Sequence, residues 1–559
     1  MSLSTVVALA ALSVACQADI SGGSQSPDGE GPGPGPNNEP PVQVPEPGDW
    51  FGAVEQADCN GAFASTRTRI RRLGNVQWKN TVTQAIGANV EAVELPDDAI
   101  SSATGFNTDA DLNKVNVLLA NAYFDAGESL APAVATALMG TYTCLTTAAA
   151  DAACSAPAVK DLGNRLFRRP LTDEESSRYS GFLAAQAALD PPDVAVASLV
   201  RAFLLSPNMI YITELGDSKA GDNALTGYEQ ASLISYLVAD VPPDAPLMQA
   251  AAGGALNDAA QRVAHAERLL QTPSARAKYA DFWRQYLPLG DLRQADGVDA
   301  TLSAAIVDET QQHWEKIVWQ QNGSFADLVT APYTYGQQSL SAVYGTLTPN
   351  GMGALSLPAG QRSGFLTQSA FLFVSESATP EHKIIHRGLT VRKRLLCQTP
   401  PPPPANLMPA ATDLRPLGEG ATPVESYEAF KASKPACAAC HNSFQPIGLA
   451  FEEYDNLGKY RTTYEGGKDI VTTGELSDAG DASGAYTNAV EIAQRIGQSK
   501  IGEYCFTRQY ADYALGRHLN AAVDACVIRA PSATTAHPPV QKLAVVLSDI
   551  AAGSRRFHN

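Results

Sequence analysis

The chain has 559 residues, of which 45% are hydrophobic and 18% charged, a composition that excludes a wholly disordered or fibrous protein. This length corresponds to roughly three or four folding domains. Its 40 Lys and Arg residues against 58 Asp and Glu residues give a formal net charge of −18, which would repel nucleic-acid phosphates and argues against a nucleic-acid partner.

The N-terminus has the pattern of an export signal. Residues 4–15 form a short apolar run that ends at Cys16, a pattern typical of a signal peptide rather than a spanning helix. We therefore expect a signal peptide over residues 1–16 and an exported protein in the periplasm or at the cell surface. Ala15 before Cys16 and the polar residues after it resemble a lipoprotein signal, which predicts a lipid on Cys16 that attaches the protein to a membrane. The alternative is a plain signal peptide. Residues 17–49 are rich in Pro and Gly and predict a disordered linker.

The body of the chain predicts a mainly α, multi-domain fold. Thr172 with Glu175, and Thr226 with Glu229, have capping-box spacing ahead of apolar runs of helical period, whereas strand-like alternation is sparse. The run Pro400–Pro404 predicts a stiff spacer before a separate C-terminal domain. Helical domains are expected over residues 50–155, 156–225 and 226–350, followed by a helical segment with the Pro-rich spacer over 351–404 and a C-terminal domain over 405–559.

A basic stretch near the start of the body contains Arg67, Arg69, Arg71 and Arg72. Such a stretch could bind an anion or the acidic patch of a redox partner. We expect instead a solvated face of a helix, the usual setting of a short charge run.

Cysteine usage predicts an oxidising compartment. With Cys16 and the close pair Cys437 and Cys440 set aside, an even number remains: Cys59, Cys144, Cys154, Cys397, Cys505 and Cys526. Six cysteines allow 15 connectivities. Short loops favour Cys144 with Cys154 and Cys505 with Cys526, which leaves Cys59 with Cys397 by elimination. The alternative is buried free thiols, but export and an even count favour disulfides.

One segment carries a specific chemical signal, the motif Cys437-Ala-Ala-Cys440-His441. A c-type haem needs two thiols about one helical turn apart to form thioethers, and an adjacent imidazole to ligate the iron. The motif therefore predicts one covalent haem c on Cys437 and Cys440, with His441 as the proximal iron ligand. The alternatives are a redox-active or structural CxxC disulfide and a zinc site completed by Cys505 and Cys526.

The second axial position of the iron has three candidate states. No methionine follows Met408, so the usual downstream methionine is missing. Met408, ahead of the motif, and His518, in the C-terminal helices, are the protein candidates for the sixth ligand, and the third state has no protein ligand. Two strong ligands favour electron transfer, whereas a vacant position lets iron bind small molecules. The other histidines are expected to be surface or hydrogen-bonded residues. We expect residues 446–448 to form a turn at the haem edge and residues 468–476 a short β excursion.

Several blocks of sequence look familiar together: residues 71–87, 162–175, 205–216, 362–372, 387–404 and 437–461. In this order they resemble a family of large exported bacterial proteins built from successive domains of unknown function, known mainly from planctomycetes and myxobacteria. That family generally has Met-Asp where this chain has Phe444-Gln445. The resemblance implies that residues 405–559 form a cytochrome c-like domain, and it implies no established enzymatic activity.

The sequence thus predicts an exported c-type haem protein with an electron-transfer or redox function, whose partner is a redox protein or a small-molecule electron donor or acceptor. The helical domains would scaffold or recognise a ligand. Whether the protein is an enzyme is left open. One alternative is an oxidative enzyme with an open haem site, and another is a surface protein that binds polysaccharide or protein and has a structural CxxC.

Overall fold

The computed structural model describes residues 45–59, 66–216, 221–287, 299–373, 380–400, 421–433, 435–533 and 535–558. The predicted signal peptide, Cys16, nearly all of the predicted linker, Met408 and most of the Pro-rich spacer lie outside these residues, as does the side chain of Cys437. Helices dominate the described residues, which confirms the predicted mainly α fold.

A first core is formed by the N-terminal helices, and its members are α2 (Asn75–Ile86), α3 (Val117–Thr141), α4 (Leu145–Ala148), α5 (Ala152–Phe167), α6 (Asp173–Ala187), α7 (Pro192–Leu204) and α8 (Pro207–Ile210). The predicted start of α6 is confirmed, since the Thr172 hydroxyl accepts from the Glu175 amide and the Glu175 carboxylate accepts from the Thr172 amide. The short helix α1 (Trp50–Gln56) precedes this group and buries Trp50 and Val54 in the second core.

The second core is larger and combines central with C-terminal helices. The central helices are α9 (Gly227–Ala239), α10 (Ala245–Ala252), α11 (Ala259–Leu270), α12 (Pro273–Tyr286), α13 (Ala300–Glu315), α14 (Phe325–Thr330), α15 (Ser341–Tyr344) and α16 (Ser369–Leu372). The later helices are α17 (Pro380–Thr390), α18 (Pro423–Ser433), α19 (Pro435–Leu449), α20 (Ala489–Gly497), α21 (Lys500–Leu515), α22 (Ala521–Arg529) and α23 (Lys542–Gly553). Of all these helices, α15 packs in a smaller separate cluster, and α17 and α18 pack in another. Every residue of α21 after Lys500 is buried, and its Tyr510 ring packs edge-on against Phe282 of α12 at 5.1 Å between centroids. The C-terminal helices therefore share one core with the central ones.

Short strands tie distant parts of the chain together. They are β1 (Thr66–Arg67), β2 (Arg69–Arg72), β3 (Tyr211–Glu214), β4 (Gly221–Ala224), β5 (Tyr333–Thr334), β6 (Thr348–Pro349), β7 (Leu355–Ser356), β8 (Gly474–Leu476), β9 (Gly484–Tyr486) and β10 (Arg555–His558). β10 pairs with β1 in parallel and with β4 antiparallel, which joins the C-terminal end to the start of the body. β5, β7 and β6 form a separate small sheet, and β8 pairs antiparallel with β9, which confirms the predicted β excursion.

The basic stretch is a strand rather than the predicted helix. Residues Arg69–Arg72 form β2, which pairs antiparallel with β3 in the register Arg71 opposite Ile212. Arg71 and Arg72 are 8% and 5% exposed, so the expectation of a solvated face is wrong for both. Their spacing explains the error, because a charge run with alternate arginines fits the period of a strand as well as a helix surface.

Six cysteines form three disulfides, which excludes the alternative of free thiols at these positions. The predicted pair Cys144–Cys154 is confirmed, with 5.9 Å between Cα atoms. The predicted pairs Cys505–Cys526 and Cys59–Cys397 are wrong, since Cys526 bonds to Cys59 and Cys505 to Cys397. α22 packs against α1, and α21 against the π-helical segment Val391–Leu395, so tertiary packing rather than loop length brings these thiols together. In the described ranges, no helix is long and apolar enough to cross a membrane.

Candidate haem-attachment site

Helix α19 carries the cysteine motif on its first two turns. Positions 437 and 440 are three residues apart, so their Cα atoms lie about one helical turn from each other. The thiol of Cys440 is free and its residue is partly exposed. A free thiol at this position is what thioether formation requires. The zinc alternative is wrong, because Cys505 and Cys526 are both consumed in disulfides with other partners.

The imidazole of His441 is oriented by the side chain one turn further along α19. Nδ1 of His441 lies 2.7 Å from Oε1 of Gln445, which is itself buried. Because an amide oxygen can only accept a hydrogen bond, Nδ1 is the donor and Nε2 carries the lone pair. Metal-ligating histidines typically have their tautomer fixed by such a second contact. His441 is thus held in the tautomer that can bind a metal through Nε2.

Two phenylalanine rings flank the same imidazole. The ring of Phe430, on α18, lies 4.9 Å from the His441 ring centroid, and that of Phe444 lies 5.0 Å from it. Phe444 and Gln445 are the residues that replace Met-Asp of the resembling family, and both contact His441. The two residues that differ from the family pattern are therefore direct neighbours of the candidate ligand His441.

The second half of α19 crosses α17 at very close range. A Cβ placed on Gly388 would lie 1.9 Å from the carbonyl oxygen of Phe444, and one on Gly448 would lie 1.9 Å from that of Ile384. Only glycine permits this approach of two backbones. Residues 446–448 belong to α19, so the predicted haem-edge turn at this position is wrong. Gly448, the third residue of the predicted turn, instead lies where α19 crosses α17.

Two buried arginines, one on α17 and one just after it, contact α19 and the residues that follow it. Nε of Arg392, in the π-helical segment after α17, donates to the Ser443 carbonyl at 2.7 Å, and its Nη1 donates to Oε1 of Gln398 at 2.6 Å. Arg387 donates through Nη2 to the Leu372 carbonyl at 2.6 Å, and its Nη1 lies 3.7 Å from Oε1 of the buried Glu452. Burial lowers the pKa of both guanidinium groups, although both stay charged. The contact of Arg392 with Ser443 holds the helix that presents His441, and the ion pair of Arg387 with Glu452 holds the segment just after this helix.

The candidate sixth ligand His518 lies in a different polar setting. Its Nδ1 is 2.9 Å from the Asp512 carboxylate, and its Nε2 is 3.1 Å from Nη2 of Arg508. Both ring nitrogens are engaged, and no contact within the described part of the chain joins His518 to Cys440 or His441. Met408, the other candidate, lies outside the described residues. The choice between these ligands stays a prediction.

Sequence reasoning did not identify Gln445, Phe430 or Arg392 as part of this site. For Gln445 a signal was present, because it stands four residues after His441, the spacing that brings two side chains together on a helix. Because a turn was expected at residues 446–448, the helix was not expected to continue past Gln445, and this spacing was not used. Phe430 and Arg392 reach the motif only through tertiary packing of α18 and the segment after α17.

Sequence models of four protein families match successive parts of the chain, each described as a protein of unknown function. They are PSD3 (DUF1587) over residues 71–136, PSD5 (DUF1595) over 154–214, PSD4 (DUF1592) over 225–346 and PSCyt3 (DUF1588) over 362–464. Together, the four matches support a family of multi-domain proteins of unknown function. The PSCyt3 match contains the cysteine motif together with α17, α18 and α19. No curated protein and no solved structure matches the chain.

Proposed function

We propose that the protein is a c-type haem protein that transfers electrons through one haem bound covalently to Cys437 and Cys440. The observation that carries this proposal is the contact between His441 and Gln445, which leaves Nε2 of His441 able to ligate iron. The free thiol of Cys440 and the helical spacing of the motif support it. The name of the PSCyt3 family hints at a cytochrome-like character in the matched region.

The residues present fit a covalent haem by the chemistry of their donor set. Cys437 and Cys440 would hold the porphyrin by thioethers, and His441 would be the proximal ligand. The haem, when bound, supplies a one-electron couple. The protein side of the function lies in Gln445, which orients the imidazole, and in the apolar rings of Phe430 and Phe444, which shield it from water. Met408 or His518 would complete the iron coordination.

We also propose that the protein is exported to the periplasm or the cell surface, with a lipid on Cys16 as its membrane attachment. Three disulfides in the described residues support an oxidising compartment, because such bonds are rare in reducing cytoplasm. Covalent haem attachment in bacteria takes place outside the cytoplasm and suits the same location. The partner in electron transfer would be a redox protein or a small-molecule donor or acceptor.

The test is to express the full chain in an export-competent host that has haem-attachment machinery. Thioethers survive denaturation, so we expect haem colour on a denaturing gel for the wild-type protein and its loss in Cys440→Ala. Ala438→Ser, which alters a position between the two cysteines but keeps the motif, is the matched control and should retain the colour. A folded, exported, colourless wild-type protein would refute the proposal.

The same preparation tests the function of the haem. We expect a spectrum of six-coordinate iron in both oxidation states, with little reaction of the reduced form with carbon monoxide, because two strong ligands favour electron transfer. Spectra of Met408→Ala and His518→Ala would then identify the sixth ligand. Ready binding of carbon monoxide by the reduced wild type would contradict electron transfer and indicate an open haem site.

A further inference from the structure

A small cavity lies where strand β2 meets the central helices and the end of α21. Its lining includes Arg71 from β2, Thr108 from the loop before α3, Asp240 and Lys278 from the central helices, and Tyr513 from α21. The space open to the centres of water molecules is about 50 Å³. A single water needs about 10 to 15 Å³ by this measure, so the cavity has room for about four waters or one small polar ligand.

The charges around this cavity leave one cation without a carboxylate of its own. The other three cations each have such a carboxylate: Arg69 with Glu214, Arg72 with Asp98, and Lys278 with Asp240. Arg71 must share Glu214, since its Nε stands 3.5 Å from a carboxylate oxygen that Arg69 already contacts at 2.7 Å. Burial, and then the neighbouring charge of Arg69, lower the pKa of Arg71. Arg71 is therefore the incompletely compensated charge.

Two buried polar atoms on residues of this lining have no hydrogen-bond partner in the described part of the chain. They are Nε of Arg71 and Oγ1 of Thr108. The Arg71 side chain is only 9% exposed, and its single hydrogen bond among the described residues runs from Nη1 to Oε1 of Gln77 at 3.5 Å. The contact of Nε with Glu214 is an ion pair and not a hydrogen bond. An unpaired buried donor is costly, and a charged one more so. Two such groups on residues that line one cavity indicate a missing acceptor.

The carboxylates in the lining already have donors. Asp240 accepts from Lys278 and from Gln77, each at 2.7 Å, and Asp281 accepts from the Tyr513 hydroxyl at 2.8 Å. Asp240 is compensated by Lys278, and Asp281 pairs with Arg284, whereas Arg71 has only the Glu214 carboxylate that it shares with Arg69. The unmet demand in the cavity is for a hydrogen-bond acceptor that carries negative charge.

We propose that this cavity binds a small oxyanion, a carboxylate or a phosphate, through the guanidinium of Arg71 and the hydroxyl of Thr108. Arginine is suited to this task because its planar fork matches two oxygens of one anion. The site joins the segment matched by PSD3 to that matched by PSD4, so the anion would strengthen the contact between them. This proposal does not depend on the haem.

The test measures thermal unfolding of the full chain in acetate and in inorganic phosphate, against chloride at equal ionic strength to match screening. A ligand that binds only the folded state raises the midpoint with its concentration and saturates the site. We expect such a rise for one of the two anions, which also tells a carboxylate ligand from a phosphate. Arg71→Met should abolish the response, and Thr108→Val should weaken the affinity several-fold.

Arg178→Met is the matched control, because Arg178 is an exposed, ion-paired arginine on α6, and this variant should respond as the wild type does. If Arg71→Met does not fold, Thr108→Val alone decides, since it removes only the hydroxyl and keeps the shape. The proposal is overturned if neither anion raises the midpoint above its value in chloride, which would mean that water fills the cavity. It is also overturned if the anion response survives in the variants.

Discussion

The crossing of α17 and α19 can be tested by adding one methyl group. Gly388→Ala would place a Cβ 1.9 Å from the carbonyl oxygen of Phe444, on the backbone of the facing helix. A carbon and an oxygen need about 3 Å or more, so the two helices must separate by about 1 Å. Neither side of this contact is a flexible side chain, and the strain cannot be relieved by a change of rotamer.

The expected cost follows from two opposing effects. Overpacking in a well-packed region costs about 1 to 3 kcal/mol, and a contact with backbone lies at the upper end. Alanine regains about 1 kcal/mol because it favours a helix over glycine. The net loss is about 2 kcal/mol, and it falls on the small cluster of Ile384, Tyr427 and Leu449 that joins α17, α18 and α19.

Hydrogen exchange of the peptides that cover α17 and α19 measures this loss directly. A loss of about 2 kcal/mol makes local opening about 30-fold more frequent, and exchange should accelerate accordingly. Gly181→Ala is the matched control, since a Cβ on this glycine of α6 would meet nothing within 4 Å. Gly181→Ala should leave the stability of the protein unchanged or raise it above that of the wild type. Unchanged exchange in Gly388→Ala would show that the helices do not cross as closely as described.

Two further predictions concern single polar side chains. If the proposed haem is bound, Gln445→Leu should leave its attachment intact but raise its reduction potential by about 40 mV in a redox titration, because a lost hydrogen bond of about 1 kcal/mol would make His441 a weaker donor to oxidised iron. An unchanged potential would exclude Gln445 as a positioning residue. Burial raises the pKa of Glu309 from 4.5 to about 7, so the folded state loses stability as pH rises from 4.5 to 7 and the loss is complete above that range. Glu309→Gln should remove this loss. In urea unfolding, the free energy of unfolding of the variant should exceed that of the wild type by about 3 kcal/mol more at pH 8 than at pH 4. Equal pH profiles of the two proteins would contradict the assignment.

The parts of the structure that depend on neighbours in sequence could be predicted. The capping boxes at Thr172 and Thr226 start helices where expected, and Cys144 pairs with Cys154 across a short loop. Each of these features needs only a few adjacent residues, whose local preferences point the same way. The cysteine motif is a local pattern of the same kind, and the haem that it predicts stays a prediction.

The parts that depend on which surfaces meet could not be predicted. Cys526 reaches Cys59 across 467 residues because α22 packs on α1, and nothing in the local sequence marks that contact. The arginines of β2 looked like a solvated face because their partners Glu214, Asp98 and Asn113 come from separate segments. Burial of a charge is decided by such partners, and one sequence does not place them.

The position of the cysteine motif in the fold depends on residues from both sides of the Pro-rich spacer. Gly388 and Arg392 come before the spacer, yet both contact α19. Gly388 lies where the backbone of α17 comes very close to that of α19, and Arg392 donates a hydrogen bond to the Ser443 carbonyl. Phe430 comes after the spacer and packs on His441. The PSCyt3 match, residues 362–464, spans all of these residues, whereas the boundary expected at residue 405 divides them. Since a histidine keeps one orientation only when its surroundings are fixed, α17 and the segment after it belong to the site as much as the motif itself does.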